Sequence, residues 1–175
     1  EEQDIRSMGG VWKKIPYTYT LMLIGTLALT GFPLLSGYYS KDAIIESAYL
    51  SGNTIGYYAV AVGIFTAFLT AIYSWRLIFK TFHGKFNNKE QNLNSIKESP
   101  LIMLLPSCLL AIGAISAGFL FKETFIGTYS HNFWQNSILF LQDKHHEHVP
   151  TWLLVITPII VTIAIPVSYY LFIKN

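Results

Sequence analysis

The stretch TGFPLLSGYYSKDAIIE, Thr30 to Glu46, sets Gly31, Pro33 and Gly37 directly ahead of an adjacent Lys41–Asp42 pair. Upstream of the pair, Ile15 to Tyr39 carries no charge, which satisfies the requirement of about 20 apolar residues for a membrane span. Pro33 has no amide hydrogen and clashes with the preceding turn, and the two glycines weaken the helix around it, so the segment is expected to kink or unwind there. In lipid, backbone groups freed in this way are tolerated only where protein or a water-filled cavity satisfies them. A broken helix followed by a lysine is therefore a candidate ion site. The spacing also admits a plainer reading. Ile15 to Ser36 alone, at about 1.5 Å per residue, spans a hydrocarbon core of roughly 30 Å, and Lys41 would then mark the interface with its head in water.

Working outward, three runs share one order and spacing: DIRSMGG at Asp4 to Gly10, KKIPYTYTLMLIGTLALTGFPLLSGYYSKDAIIE at Lys13 to Glu46, and FKTFHGK at Phe79 to Lys85. Together they resemble subunit L of respiratory complex I, the NADH:quinone oxidoreductase, called chain 5 in mitochondria. The resemblance covers nearly the first half of the chain. It implies an all-α, polytopic transmembrane fragment of an antiporter-like proton-translocating bundle, whose first helix is discontinuous near the bilayer midplane. It further implies that Lys41 and Asp42 line a proton path, and it places Glu1 deep inside a longer protein, so the chain is read as a fragment.

Composition agrees with a membrane protein: 52% of the residues are hydrophobic and 13% charged, against about 25% charged in soluble domains. A formal charge of +2 and no basic run interleaved with aromatics argue against a nucleic-acid partner. The single Cys108 excludes a disulfide framework and an iron–sulfur motif. No glycine-rich phosphate loop or nucleophilic triad is present either. The expectation is a chain that binds no cofactor itself; the resemblance assigns FMN, iron–sulfur clusters, NADH and quinone to other subunits. The partners expected on the same ground are the other membrane-arm subunits and the lipid bilayer, in a bacterial inner membrane or, alternatively, a mitochondrial one.

Four spans are expected. The first covers 15–39, with a broken continuation over 40–50 in which Ser40 is a candidate cap; the others cover 55–75, 99–121 and 150–173. Gly113, Ala117 and Gly118 offer the third a close-approach surface. Between the last two, Phe125, Tyr129 and Phe133 recur every four residues among polar side chains, which reads as an amphipathic element over 123–142 lying at the interface. Lys and Arg number three before the first span (Arg6, Lys13, Lys14), one after it (Lys41), five in the next connection (Arg76, Lys80, Lys85, Lys89, Lys97), two before the last span (Lys122, Lys144) and one at the end (Lys174). By the positive-inside rule, the opening segment and the 76–98 connection face the cytoplasm or matrix.

Four side chains stand out. A lysine withdrawn from water is able to load and release a proton, because burial penalises its charged form, and ionisable groups inside a membrane are functional by default. Lys41 is therefore the primary candidate. Asp42 is read as tuning it, binding water at a channel mouth or capping the second half-helix. Glu46 follows Asp42 by one turn, on the same face; a water-facing helix end explains it as well as a relay does. His83 titrates near neutrality, but its place beside Lys80 and Lys85 favours an interfacial structural role. The string Lys144-His145-His146-Glu147-His148 has neither HExxH nor finger spacing and reads as a solvated loop rather than a metal site. Two rivals remain: the large subunit of a multisubunit sodium/proton antiporter, where glutamate is expected after the lysine, and a membrane scaffold without transport.

Overall fold

A computed structural model describes residues 4–86, 96–135, 137 and 149–174. The described residues form helices and connections without a strand: α1 Pro16–Thr30, α2 Ser36–Leu50, α3 Thr54–Phe82, α4 Leu101–Phe125, α5 Ser130–Trp134 and α6 Thr151–Tyr169, the last continued by a π turn Tyr170–Lys174. Of these, α3, α4 and α6 with its extension are long and apolar enough to cross a membrane. Helices α1 and α2 have 15 residues each, about 22 Å, too short for a span alone.

The discontinuity falls at Gly31–Leu35, around the expected kink at Pro33, and the second helix begins at Ser36 rather than at the expected Ser40. Gly31, at φ 83°, ends α1 in the left-handed conformation. Its amide donates to the Ala28 carbonyl and the Phe32 amide to the Leu27 carbonyl, at 3.2 and 3.0 Å, the paired bonds of a Schellman stop. Pro33 cannot donate within a helix, and the next helix starts three residues later at Ser36. The consequence for the candidates is direct: Lys41 and Asp42 lie in the second turn of α2, and neither Ser40 nor Asp42 caps it.

One end of the bundle is assembled by the runs that flank the first helix. The Gly10 amide donates to the His83 carbonyl at 3.4 Å, and the Trp12 ring stacks on the His83 ring. The runs DIRSMGG and FKTFHGK are thus one structural unit. Glu98, just before α4, closes the same end by accepting the Tyr17 amide at 2.9 Å, the Thr18 amide and the Thr18 hydroxyl. A carboxylate there satisfies orphan amides at the positive end of α1. The partial desolvation that would raise its pKa is outweighed by these bonds and one from the Ser99 amide, so the carboxyl is held below the usual glutamate value. Sequence reasoning did not single out Glu98, since a cap supplied 80 residues away leaves no local signature.

Helices α3 and α6 run parallel. Leu153 packs with Ile45 and Val60 at one end, Ala164 with Ala71, Trp75 and Ile78 further along, and the Tyr169 ring meets Phe79 near the other end. Helix α3 runs two turns past the expected Trp75 limit to Phe82; Arg76 remains in the helix, its guanidinium over the Phe172 ring. Helix α4 is peripheral, with Ala111 its one buried residue. Of its expected small-residue surface, Gly118 lies against Ser36 and Tyr39, whereas a Cβ added at Gly113 would meet nothing within 4 Å. Within 123–142, residues 123–125 continue α4 and only Ser130–Trp134 is a separate helix. Residues 136 and 138–142, and the 144–148 string, lie outside the described residues.

Candidate functional site

The site is built at the break. Of the carbonyls left open at the end of α1, those of Leu27 and Ala28 are taken by the Schellman bonds. That of Leu29 accepts the Lys41 ammonium at 2.7 Å. Helical side chains lean back towards their own N-terminus, so a lysine in the second turn of α2 reaches back to the point where α1 stops. That point is also the negative end of the α1 dipole. The cation therefore completes a backbone that lipid cannot satisfy, which explains how a charge is held within an apolar segment.

Asp42 follows Lys41 by one residue, about 100° around the helix, and points elsewhere. It is 9% exposed and is flanked by the Tyr38 hydroxyl of its own helix and the Thr157 hydroxyl of α6. The Thr157 oxygen reaches this carboxylate yet is buried without a completed hydrogen bond. Glu46, one turn further along α2, senses both Asp42 and Lys122 of α4, and the Lys122 ammonium lies 5.6 Å from the centre of the Tyr39 ring. Lys41, Asp42 and Glu46 thus occupy one stretch of α2 but address three different neighbours: α1, α6 and α4.

His83 does not join them. Its Nε2 lies 3.0 Å from the Tyr19 hydroxyl and its ring is enclosed by Trp12, Phe79 and Tyr19. Tyr19 precedes Leu29 by ten positions in α1, which puts His83 about 15 Å from the lysine along the helix. Burial lowers the pKa of this imidazole, in keeping with a neutral ring packed among aromatics. A cavity of about 620 Å³ between α1 and α4 is bounded by side chains such as Met22, Leu29, Met103 and Leu110 and has no titratable group in its lining.

Sequence reasoning missed Thr157 and Tyr38. A threonine in an apolar helix gives no signal of the carboxylate it will meet, although Tyr38 at one turn before Asp42 was legible by spacing.

Residues 1–70 match the transmembrane family model described as NADH:quinone oxidoreductase/Mrp antiporter. The chain is 44% identical over 141 residues to NADH-ubiquinone oxidoreductase chain 5 of Marchantia polymorpha, covering 81% of this chain and 21% of that protein. The chain belongs to the chain 5/subunit L family. A bacterial member, NADH-quinone oxidoreductase subunit L of Rhodobacter capsulatus, is 45% identical over 137 residues, covering 72% of this chain and 19% of its own length. Chain 5 of Chondrus crispus is 42% identical over 153 residues, 85% of this chain and 23% of that one. The chain thus spans about a fifth of the length of these chain 5/subunit L relatives. Apolar helices and this family together make it a membrane protein.

Proposed function

We propose that this chain is part of a proton-translocating membrane-arm subunit of an NADH:quinone oxidoreductase, in which NADH oxidation and quinone reduction in other subunits drive protons through the Lys41–Asp42 site. The observation that carries this reading is the Lys41 ammonium seated on the Leu29 carbonyl, at the gap between two half-helices. The protonated amine there donates to an open backbone carbonyl, a bond that weakens when the proton is released, and Asp42 supplies a carboxylate of opposite charge preference on the adjoining face. The chain binds no cofactor in this reading; FMN, iron–sulfur clusters, NADH and quinone belong to partner subunits, and the other membrane-arm subunits pack against it. The family description also includes Mrp antiporters, but the similar proteins named above are oxidoreductase subunits, which favours the redox-driven machine. The bacterial and mitochondrial inner membranes remain the two candidate locations, the bacterial one preferred.

The Asp42→Asn variant of the full-length subunit, in assembled and reconstituted enzyme, tests the transport reading. Proton translocation per electron is expected to fall several-fold, with the NADH-oxidising centres still reducible. Unchanged translocation would remove Asp42 from the path.

The fold supports a pattern of four crossings. The start of α1, the end of α3, the start of α4 and the end of α6 share one end of the bundle, through Trp12–His83, Glu98–Tyr17 and Gly84–Ile173. The end of α2 and the starts of α3 and α6 share the other, through Tyr49 with Tyr57 and Trp152. With α1 and α2 counted as one crossing, four crossings result, and the lysine-rich connections place the His83 end in the cytoplasm or matrix. In a Cys108→Ser background, an impermeant thiol reagent should label Lys97→Cys and Ser51→Cys from opposite sides. Labelling of both from one side would refute the pattern.

A further inference from the structure

We propose that Thr157 of α6 is a positioning residue for Asp42, its hydroxyl turning between donor to the ionised carboxylate and acceptor from the protonated acid. This rests on the reading that Asp42 changes protonation during turnover. Thr157 is 1% exposed and its hydroxyl reaches Asp42 without a completed bond of its own. A buried hydroxyl with no fixed partner is costly; Ser74 and Ser168 share that state, and of the three it is Thr157 that meets the Asp42 carboxylate, whereas more exposed hydroxyls bond to their own helix. The hydroxyls of Ser47, Thr70, Ser107, Ser116 and Thr162 each donate to the carbonyl four residues back. Thr157 lacks this bond although it has the same geometry available on a helix, so its rotor is left free for the carboxylate it meets. A hydroxyl is suited to this task, because it carries both one donor and two acceptor sites and can serve either protonation state without moving the backbone.

The position within α6 strengthens the assignment. Leu153 and Val161, one turn to either side of Thr157, are 2% and 0% exposed, so α6 is clamped above and below the hydroxyl and only its rotor is free to respond. Tyr38 holds the carboxylate from its own helix and moves with it. Thr157 is the partner on a separate element and therefore defines where the carboxylate sits relative to the bundle. Among the described residues, the titratable groups facing Asp42 are Tyr38 and, more remotely, Glu46; the α6 residue is the neutral one.

Infrared difference spectra of the full-length subunit in assembled enzyme, recorded across pH, test this. The band lost in Asp42→Asn assigns the protonated Asp42 carbonyl stretch. In Thr157→Val, which keeps the volume and removes the hydroxyl, that band is expected to move to higher wavenumber and proton translocation per electron to fall about tenfold, the effect of losing one hydrogen bond to a charged group. Thr157→Ser should restore both. An Asp42 band unchanged in Thr157→Val would overturn the proposal and leave Asp42 as a carrier. Absence of any Asp42 band in the unmodified enzyme would show that the carboxyl does not titrate, and would remove the transport reading of Asp42 along with the role of Thr157. Equal losses in Thr157→Val and Thr157→Ser, with the band unmoved in both, would mark a packing residue instead.

Discussion

Replacing Lys41 with methionine is expected to cut proton translocation by the assembled enzyme at least about tenfold, since groups that pass protons contribute on the order of 10²–10⁴ in rate. Methionine keeps the bulk of the stem but leaves the Leu29 carbonyl without its donor, which costs about 1–3 kcal/mol; some loss of stability should accompany the loss of pumping. Lys41→Arg separates the two effects. Arginine can still donate to the carbonyl at the break, so stability should recover, but a guanidinium stays charged in proteins and cannot release its proton. Pumping should therefore remain impaired. If Lys41 merely marked the interface or merely closed the backbone, arginine would be silent in both respects. The measurement is translocation in reconstituted vesicles normalised to assembled enzyme, alongside its thermal stability; wild-type pumping by Lys41→Arg would end the proton-carrier assignment.

The second large effect concerns the joint itself. A Cβ on Gly37 would clash with the Ala28 carbonyl oxygen and lie 3.0 Å from its carbon. Both are backbone atoms that no rotamer change can move. Gly37→Ala must therefore push the start of α2 away from the end of α1, and with it the Lys41 head from Leu29. Overpacking of this kind costs about 1–3 kcal/mol and more when backbone resists, so the variant is expected to lower the unfolding midpoint of the subunit and impair pumping together. Gly113→Ala is the control. Its added methyl meets nothing within 4 Å and, mid-helix, should be neutral or gain about 0.5–1 kcal/mol. Equal behaviour of the two variants would show that the close crossing at Gly37 does not hold the site together.

Some of this was written in the local sequence. Uncharged runs, their length and the placing of Lys and Arg determine an all-helical membrane protein, because the cost of charge and open backbone in lipid is the same wherever the segment lies. The disruption of the first helix was equally legible, since Gly31 and Pro33 act on their own backbone. The break lies where those residues put it, Gly31 stopping α1 by bonds to Leu27 and Ala28; what was not legible is that the new helix begins at Ser36 rather than Ser40, so the lysine stands in a second turn rather than beside a cap. Which group each titratable residue meets was decided by tertiary structure alone. Lys41 and Asp42 are adjacent in sequence yet face α1 and α6, and His83, whose pKa burial lowers, is packed among aromatics at the far end. Local sequence sets the period and breaks of a helix, but the partner of an inward side chain is fixed by the rotation and depth at which another helix docks. Thr157 acquires its carboxylate only from that packing.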